Sequence, residues 1–245
     1  MEGFHALKHA LRFGAQIAVA VTADPSGTRA LTADLAPDIA PALDALLRPV
    51  TRDELRALSP RAHHTEVLAL ARRPEVDVAS ALAAAAERPA VLLEDPRHLG
   101  NVGAVVRVAA AADAAAVVTT GATDPWDPQA LRGSAGLHFA LPVARIGGAE
   151  AGEERGRVCD AAGEGAAAVA RAAGRPLVAL DPDGDDLLTP GAVPPGALLA
   201  FGTERHGLSD ALLEAADARV RIPMRAGVSS LNLATAVAAA LYGAR

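Results

Sequence analysis

The sequence predicts an α/β protein, a parallel sheet covered by helices, preceded by a small mixed unit. Three observations predict it. From Ala90 onward, short apolar runs alternate with segments of helical length, the rhythm of a parallel sheet. Before residue 73 the alternation is less regular, and Pro74 and Pro89 bracket an Ala-rich stretch between the two regions. The chain has 245 residues, 51% hydrophobic and 21% charged, so it can bury a core without disulfide or metal staples.

Taken in order, Phe4, Leu7 and Leu11 fall at helical spacing, and Gln16–Thr22 reads as a strand. Asp24-Pro25-Ser26-Gly27 is a turn cluster by composition. Helices are expected near Ile39–Leu47 and Asp53–Leu58, then a strand at Glu66–Ala71. Residues 74–89 read as a helical tether, which sets the expected units at 1–73 and 90–245. The second unit begins with strand Ala90–Leu93, helix Asn101–Ala112, strand Ala115–Thr120 and helix Pro128–Ser134. Phe139–Val143 is a strand candidate, and residues 147–165 are Gly- and Glu-rich, the composition of an exposed loop. Helix Ala166–Ala173, strand Pro176–Leu180 and an acidic loop at Asp181–Asp186 follow. That loop lacks the ligand spacing and closing Glu of a calcium hand, so no metal is assigned to it. Strand Ala197–Gly202, helix Leu208–Ala215, strand Arg219–Ile222 and helix Leu231–Tyr242 complete the order.

Composition narrows the function. Cys159 is the single cysteine, which leaves no internal disulfide or Cys-based zinc site and suits a reducing cytoplasm. No apolar run reaches the roughly 20 residues of a membrane span, and the N-terminus lacks a signal-peptide pattern. A net charge of −6 argues against a simple nucleic-acid coat. Yet every cation but Lys8 is arginine, the residue that grips phosphate bidentately. A GC-rich coding bias also produces such a composition. Six aromatic residues are too few for a base-stacking surface to dominate.

Three segments carry candidate chemistry. Asp95–Arg107 (DPRHLGNVGAVVR) is a glycine-bearing turn that opens a helix after a strand, without the G-x-G-x-x-G of a dinucleotide fold. Within it Asn101 and Arg107 lie six apart, and Arg107 sits among Ala and Val, where it must find a partner or snorkel to solvent. Leu198–Leu208 (LLAFGTERHGL) ends a strand at Gly202 and presents Glu204 on a polar turn, where ligands of open α/β sheets bind. Arg219–Asn232 ends a strand at Ile222, and Ser229 or Ser230 can cap the following apolar helix. Capping explains a serine there; Asn232, expected inside the first turn, is left without that explanation.

Together and in this order, NVGAVVR, FGTERHGLSDALLEAADARVRIPM and SSLNLATAVAAALY resemble the three motifs of the SpoU (TrmH-like) family of RNA ribose 2′-O-methyltransferases, in the SPOUT superfamily. RGSAGLHFALPV, at 132–143, resembles the stretch between the first two. EGFHALKHAL and HTEVLALARRP resemble more loosely the L30e-like RNA-binding domain that often precedes the catalytic one. There are departures. His98-Leu99-Gly100 lengthen the loop between Pro96 and Asn101, and Ala112-Asp113-Ala114 replaces Ala-Phe-Gly. Arg205 stands where glycine is common, and His64-Thr65-Glu66 replaces His-Gln-Gly.

The resemblance implies a C-terminal trefoil knot in the parallel α/β sheet, a homodimer and S-adenosylmethionine as cofactor without a metal. It implies a catalytic set of Asn101, Arg107, Glu204, Ser230 and Asn232, with Gly202, Ile222 and Leu231 contacting the cofactor. The implied substrate is structured RNA, ribosomal RNA before transfer RNA. A non-catalytic RNA-binding protein that keeps only the fold is the alternative. The closing helix adds a physical reason for a dimer, being apolar nearly all round with small residues that allow close approach.

Overall fold

A computed structural model describes residues 1–59, 64–147, 165–203 and 206–243. Glu204, Cys159 and nearly all of the expected 147–165 loop lie outside the described residues.

The first unit carries α1 (Phe4–Arg12), β1 (Ile17–Thr22), α2 (Pro25–Leu35), α3 (Ala40–Leu46), β2 (Leu47–Pro49), α4 (Arg52–Leu58) and β3 (Val67–Ala71). Its sheet runs β2-β1-β3, with β1 parallel to β2 and antiparallel to β3. Phe4 and Leu7 of α1 pack with Ile39, Leu43 and Val67 into one small core. The Asp24–Gly27 cluster is not a free turn but the start of α2. The Asp24 carboxylate accepts from Gly27 N–H at 2.9 Å, and Pro25 opens the helix. α2 shows no apolar stripe because its buried face is Thr28 and Thr32, which bond to Thr22 Oγ1 and to the Thr28 carbonyl.

The connecting helix α5 (Val78–Ala84) is more than a tether. Leu82 is fully buried in the second unit's core. The buried Arg175 guanidinium donates to the carbonyls of Leu82, Ala85, Arg88 and Gly196, fixing the end of α5 against the sheet.

The second unit contains β4 (Ala90–Leu93), α6 (Leu99–Ala111), β5 (Val117–Thr119), α7 (Pro128–Gly133), β6 (Val143–Arg145), a helical stretch over 165–172, β7 (Leu177–Asp186), β8 (Leu198–Phe201), α8 (Asp210–Ala215), β9 (Ala218–Arg221) and α9 (Leu233–Gly243). Its six strands are all parallel, in the order β6-β5-β4-β8-β7-β9. Helices cover both faces, so the central strands read as continuous apolar runs rather than alternating ones. Val91, Leu93, Leu199 and Phe201 face α6, α7 and α9; Ala90, Leu92, Leu198 and Ala200 face α5, α8 and the 165–172 helix. Each fully buried Leu or Val contributes roughly 1.5–3 kcal/mol, which makes these two layers the main source of stability.

Two further expectations need correction. Phe139–Val143 is not a strand: Leu137–Phe139 forms a 3-10 turn held by the buried His138, and β6 starts only after Pro142. The acidic stretch Asp181–Asp186 belongs to β7. After a register shift Asp185 and Asp186 pair with Val220 and Arg221, and Asp181 meets Arg219 at 3.5 Å.

The chain walks outward from β4 through β5 to β6, then returns to build β7, β8 and β9 on the other side of β4. The reversal falls between the neighbours β4 and β8. A crevice beyond the carboxyl ends of two such strands is where open α/β sheets bind ligands.

Candidate active site

The segments that leave β4 and β8 both enter this crevice. After β4 the chain passes Glu94 to Gly100 and opens α6, with Asn101 in its first turn. After β8 it turns at Gly202, and Thr203 and Gly207 close a small loop through paired backbone bonds of 3.0 and 3.1 Å. A Cβ on Gly202 would lie 2.0 Å from the Gly207 carbonyl carbon, so only glycine permits this fold-back. Glu204, which follows Thr203 in the sequence, lies outside the described residues.

The third segment arrives from β9. Residues 222–232 run without regular structure, and α9 begins at Leu233. Ile222 is half-buried against the core, whereas Leu231 is 40% exposed. Ser230 is exposed in the same segment and does not cap the helix. Asn232 caps it instead: its Oδ1 accepts from Ala234 N–H at 3.0 Å and Thr235 N–H at 3.4 Å. The capping role withheld from Asn232 is therefore the one it performs, and the helix starts two residues later than its apolar pattern suggests.

That cap leaves the Asn232 amide group free to turn outward. Its Nδ2 donates to Asn101 Oδ1 at 3.1 Å, across 131 positions of sequence. One side chain from the segment after β4 and one from the segment after β9 thus meet directly. Arg107 lies on the same helix as Asn101, roughly 9 Å further along its axis at 1.5 Å per residue. It is exposed and makes no ion pair among the described residues. Of the eight expected site residues, the structure joins Asn101 to Asn232 by a hydrogen bond and holds Gly202 and Ile222 at the ends of β8 and β9. It leaves Ser230 and Leu231 open to solvent.

Glu94 is a site residue that the motif reading passed over. It is buried at the end of β4, where its carboxylate accepts from Ser209 N–H at 2.7 Å and Ser209 Oγ–H at 2.6 Å. Ser209 in turn caps α8, so Glu94 ties the loop after β8 to the strand beside it. A carboxylate immediately following an apolar strand was the available signal. Asp95 next to it adopts φ of +43°, a left-handed backbone that a non-glycine residue takes only when its surroundings enforce it. Thr120 Oγ1 accepts from Asp95 N–H at 3.0 Å, and Arg97 clasps its carboxylate.

A second polar cluster lies beside the crevice. His138 Nε2 donates to the Pro125 carbonyl at 2.7 Å, which leaves Nδ1 to accept from Ser134 Oγ–H at 2.7 Å. Trp126 stacks obliquely on His138 and donates to the Val143 carbonyl at 2.9 Å. Burial pushes the His138 pKa down to about 4, against the opposing pull of the Pro125 carbonyl. This neutral Ser–His pair is buried, and both ring nitrogens are taken by partners within the fold.

The sequence model of the SpoU rRNA Methylase family matches residues 88–242. The 23S rRNA (uridine(2479)-2′-O)-methyltransferase of Streptomyces viridochromogenes is 38% identical over 158 residues, which is 63% of this chain and 51% of that protein. An uncharacterized tRNA/rRNA methyltransferase of Mycobacterium bovis is 37% identical over 182 residues, 72% of this chain and 58% of its own. This chain therefore spans little more than half the length of these curated relatives. Among solved structures, the SpoU methyltransferase AviRb of Streptomyces viridochromogenes in complex with AdoMet aligns with a TM-score of 0.74 and 28% identity. It covers 100% of this chain and 88% of that one.

Proposed function

The chain belongs to the SpoU rRNA Methylase family, and from that premise we propose that it transfers a methyl group from S-adenosylmethionine to a ribose 2′-hydroxyl of structured RNA, with ribosomal RNA as the substrate class. The observation that carries this reading is the Asn101–Asn232 hydrogen bond at the sheet's switch point. It unites two polar residues 131 positions apart in sequence, one of which also caps α9. The names of relatives support the substrate: 23S rRNA 2′-O-methyltransferases from Streptomyces viridochromogenes and Streptomyces azureus.

The crevice fits the cofactor chemically. An adenosyl group needs an apolar slot with nearby backbone donors and acceptors. Ile222, Met224, Val228 and Leu231 offer apolar side chains beside the open backbone of 222–232, and the Gly202 loop offers backbone unshielded by a side chain. When bound, S-adenosylmethionine supplies the methyl group and a neutral thioether leaving group, so the protein's task is alignment and help with one proton. Asn101 and Asn232 orient each other at the mouth. A guanidinium offers donors and no acceptor, so Arg107 is no general base. It holds a phosphate flanking the target ribose and offsets the negative charge that grows on the 2′-oxygen. Glu204 and Ser230 complete the set around the reacting groups.

The reading extends to a homodimer. α9 buries Leu233, Val237, Ala240 and Leu241 within the chain, but leaves Ala238 and Ala239 half-covered and Tyr242 51% exposed. A second copy covers that strip, and the crossing of the 222–232 segment forms the trefoil knot. Residues 1–73 act as an L30e-like RNA-binding module, and the enzyme works in the cytoplasm on ribosomal RNA. Among the described residues no helix is long and apolar enough to cross a membrane.

The direct test is incubation with deuteromethyl S-adenosylmethionine and unmodified 23S rRNA transcript, followed by nucleoside mass spectrometry. A labelled 2′-O-methylnucleoside is expected. A label on a base, or label only when transfer RNA replaces the transcript, would overturn the respective part of the assignment. Light scattering at low micromolar concentration tests the dimer, and a 25 kDa particle with full activity would refute it.

A further inference from the structure

The seam between the two units carries an observation that the catalytic reading leaves unused. α1 does not hang from a linker; it is seated on residues 132–139. Gly136 abuts Ala6 so closely that a Cβ there would lie 2.4 Å from the Ala6 carbonyl oxygen. His9 Nδ1 donates to the Ala135 carbonyl at 2.8 Å, and Glu2 pairs with Arg132. Residues 137–139 touch α1 on one side and α6 on the other. Residues 137–139 thus bridge α1 to the helix that bears Arg107.

Charge at that seam is unevenly spent. Arg12 is held bidentately by Asp38 at 2.5 and 2.7 Å. Lys8, the single lysine, and Arg107 form no ion pair among the described residues. The two are near enough to feel each other: burial, then the Arg12 charge, then Arg107 lower the Lys8 pKa, with Asp38 opposing. Burial, then the charges of Lys8, His64 and Arg107, lower that of His5. The anion that acts on Lys8, Asp38, is already held by Arg12, so a phosphate brought by a ligand would relieve the repulsion between Lys8 and Arg107.

We propose that Lys8 of α1 and Arg107 of α6 form one phosphodiester-binding track, in which Lys8 grips the RNA backbone beyond the phosphate held at Arg107. This rests on the methyltransferase reading and deepens it. The N-terminal unit contacts RNA through the first helix, on the same surface as the crevice. Residues 90–245 hold thirteen basic and eighteen acidic side chains, so that half repels RNA on average and gains from a cation lent across the seam. Lys8 is a positioning residue; it touches the RNA backbone and not the reacting atoms.

The experiment compares wild type, Lys8→Gln and Lys8→Arg on unmodified 23S rRNA transcript. Lys8→Gln should raise KM for the transcript about five- to tenfold, with kcat at saturating RNA, affinity for S-adenosylmethionine and Tm unchanged. One lost phosphate contact also makes the plot of log affinity against log salt shallower by about one. Lys8→Arg should restore KM and slope. An unchanged KM and slope in Lys8→Gln would overturn the track while leaving the methyltransferase reading intact. A fall in kcat or Tm alone would assign Lys8 a structural role and overturn it too. A wild-type protein that methylates no RNA removes both.

Discussion

Two polar clusters sit on the same face of one sheet and differ in a single respect. Ser134, His138 and Trp126 form a buried set in which the ring nitrogens and the serine hydroxyl are all paired. Asn101, Asn232 and Arg107 form an open set with one mutual hydrogen bond and a guanidinium without an ion pair among the described residues. The first spends its hydrogen-bonding capacity on the fold; the second includes the exposed Arg107 guanidinium, which the proposed function assigns to a ligand. Chemistry in this molecule is read from unspent capacity at a strand switch point rather than from residue types, since a Ser–His pair is the more suggestive of the two by type alone.

Substitutions should split along that line. The largest effect is expected for Arg107→Ala, a loss of about a thousandfold in turnover, near 4 kcal/mol, with Tm and cofactor affinity little changed. Retention of more than about a tenth of the turnover corresponds to under 1.4 kcal/mol and would remove Arg107 from the reaction. His138→Ala should do the reverse. It deprives the Pro125 carbonyl of its ring donor and leaves a cavity, costing about 3 kcal/mol in urea melts, with turnover per folded molecule within twofold.

The same histidine predicts a pH dependence. Its folded pKa, about 4, lies below its unfolded value, so the unfolded chain binds the extra proton. The stability it protects is full above about pH 6.5 and drains away as pH falls towards 4, by up to about 3 kcal/mol. Urea midpoints measured between pH 7 and 4.5 should fall steeply in wild type and less steeply in His138→Ala. Equal slopes would mean that His138 is not held neutral.

A smaller effect is expected from Gly202→Ala. A Cβ meeting the Gly207 backbone must displace the loop, and calorimetry should show cofactor affinity reduced about tenfold, some 1.4 kcal/mol. The smallest separates the two duties of Asn232. Asn232→Asp keeps an oxygen to cap α9 but loses the amide donor to Asn101, so turnover should drop about fivefold at constant Tm. Asn232→Ala should add about 1 kcal/mol of lost stability by removing the cap. Equal Tm for both variants would show that the cap does not matter.

The alternation of apolar strands and helices from Ala90 onward was legible because the sheet is buried on both faces. The site segments were legible because they are polar interruptions at strand ends. What escaped the pattern was polar structure that serves packing. α2 hides Thr28 and Thr32 inward, so no apolar period marks it. His138 bonds across to Pro125 and Ser134 and turns FALP into a 3-10 corner instead of a strand. Arg175 fixes α5 from 90 residues away, which no local reading of residues 74–89 could show. Asn232 looked like a residue without a structural task because its cap was assigned to the neighbouring serines.

The contrast between the two clusters is tested most directly by amide hydrogen exchange with and without S-adenosylmethionine. The account predicts added protection in 202–208 and 222–232, and unchanged exchange in 125–139, which is already saturated. Protection of 125–139 with no change at the other two segments would contradict it, as would no protection anywhere at saturating cofactor.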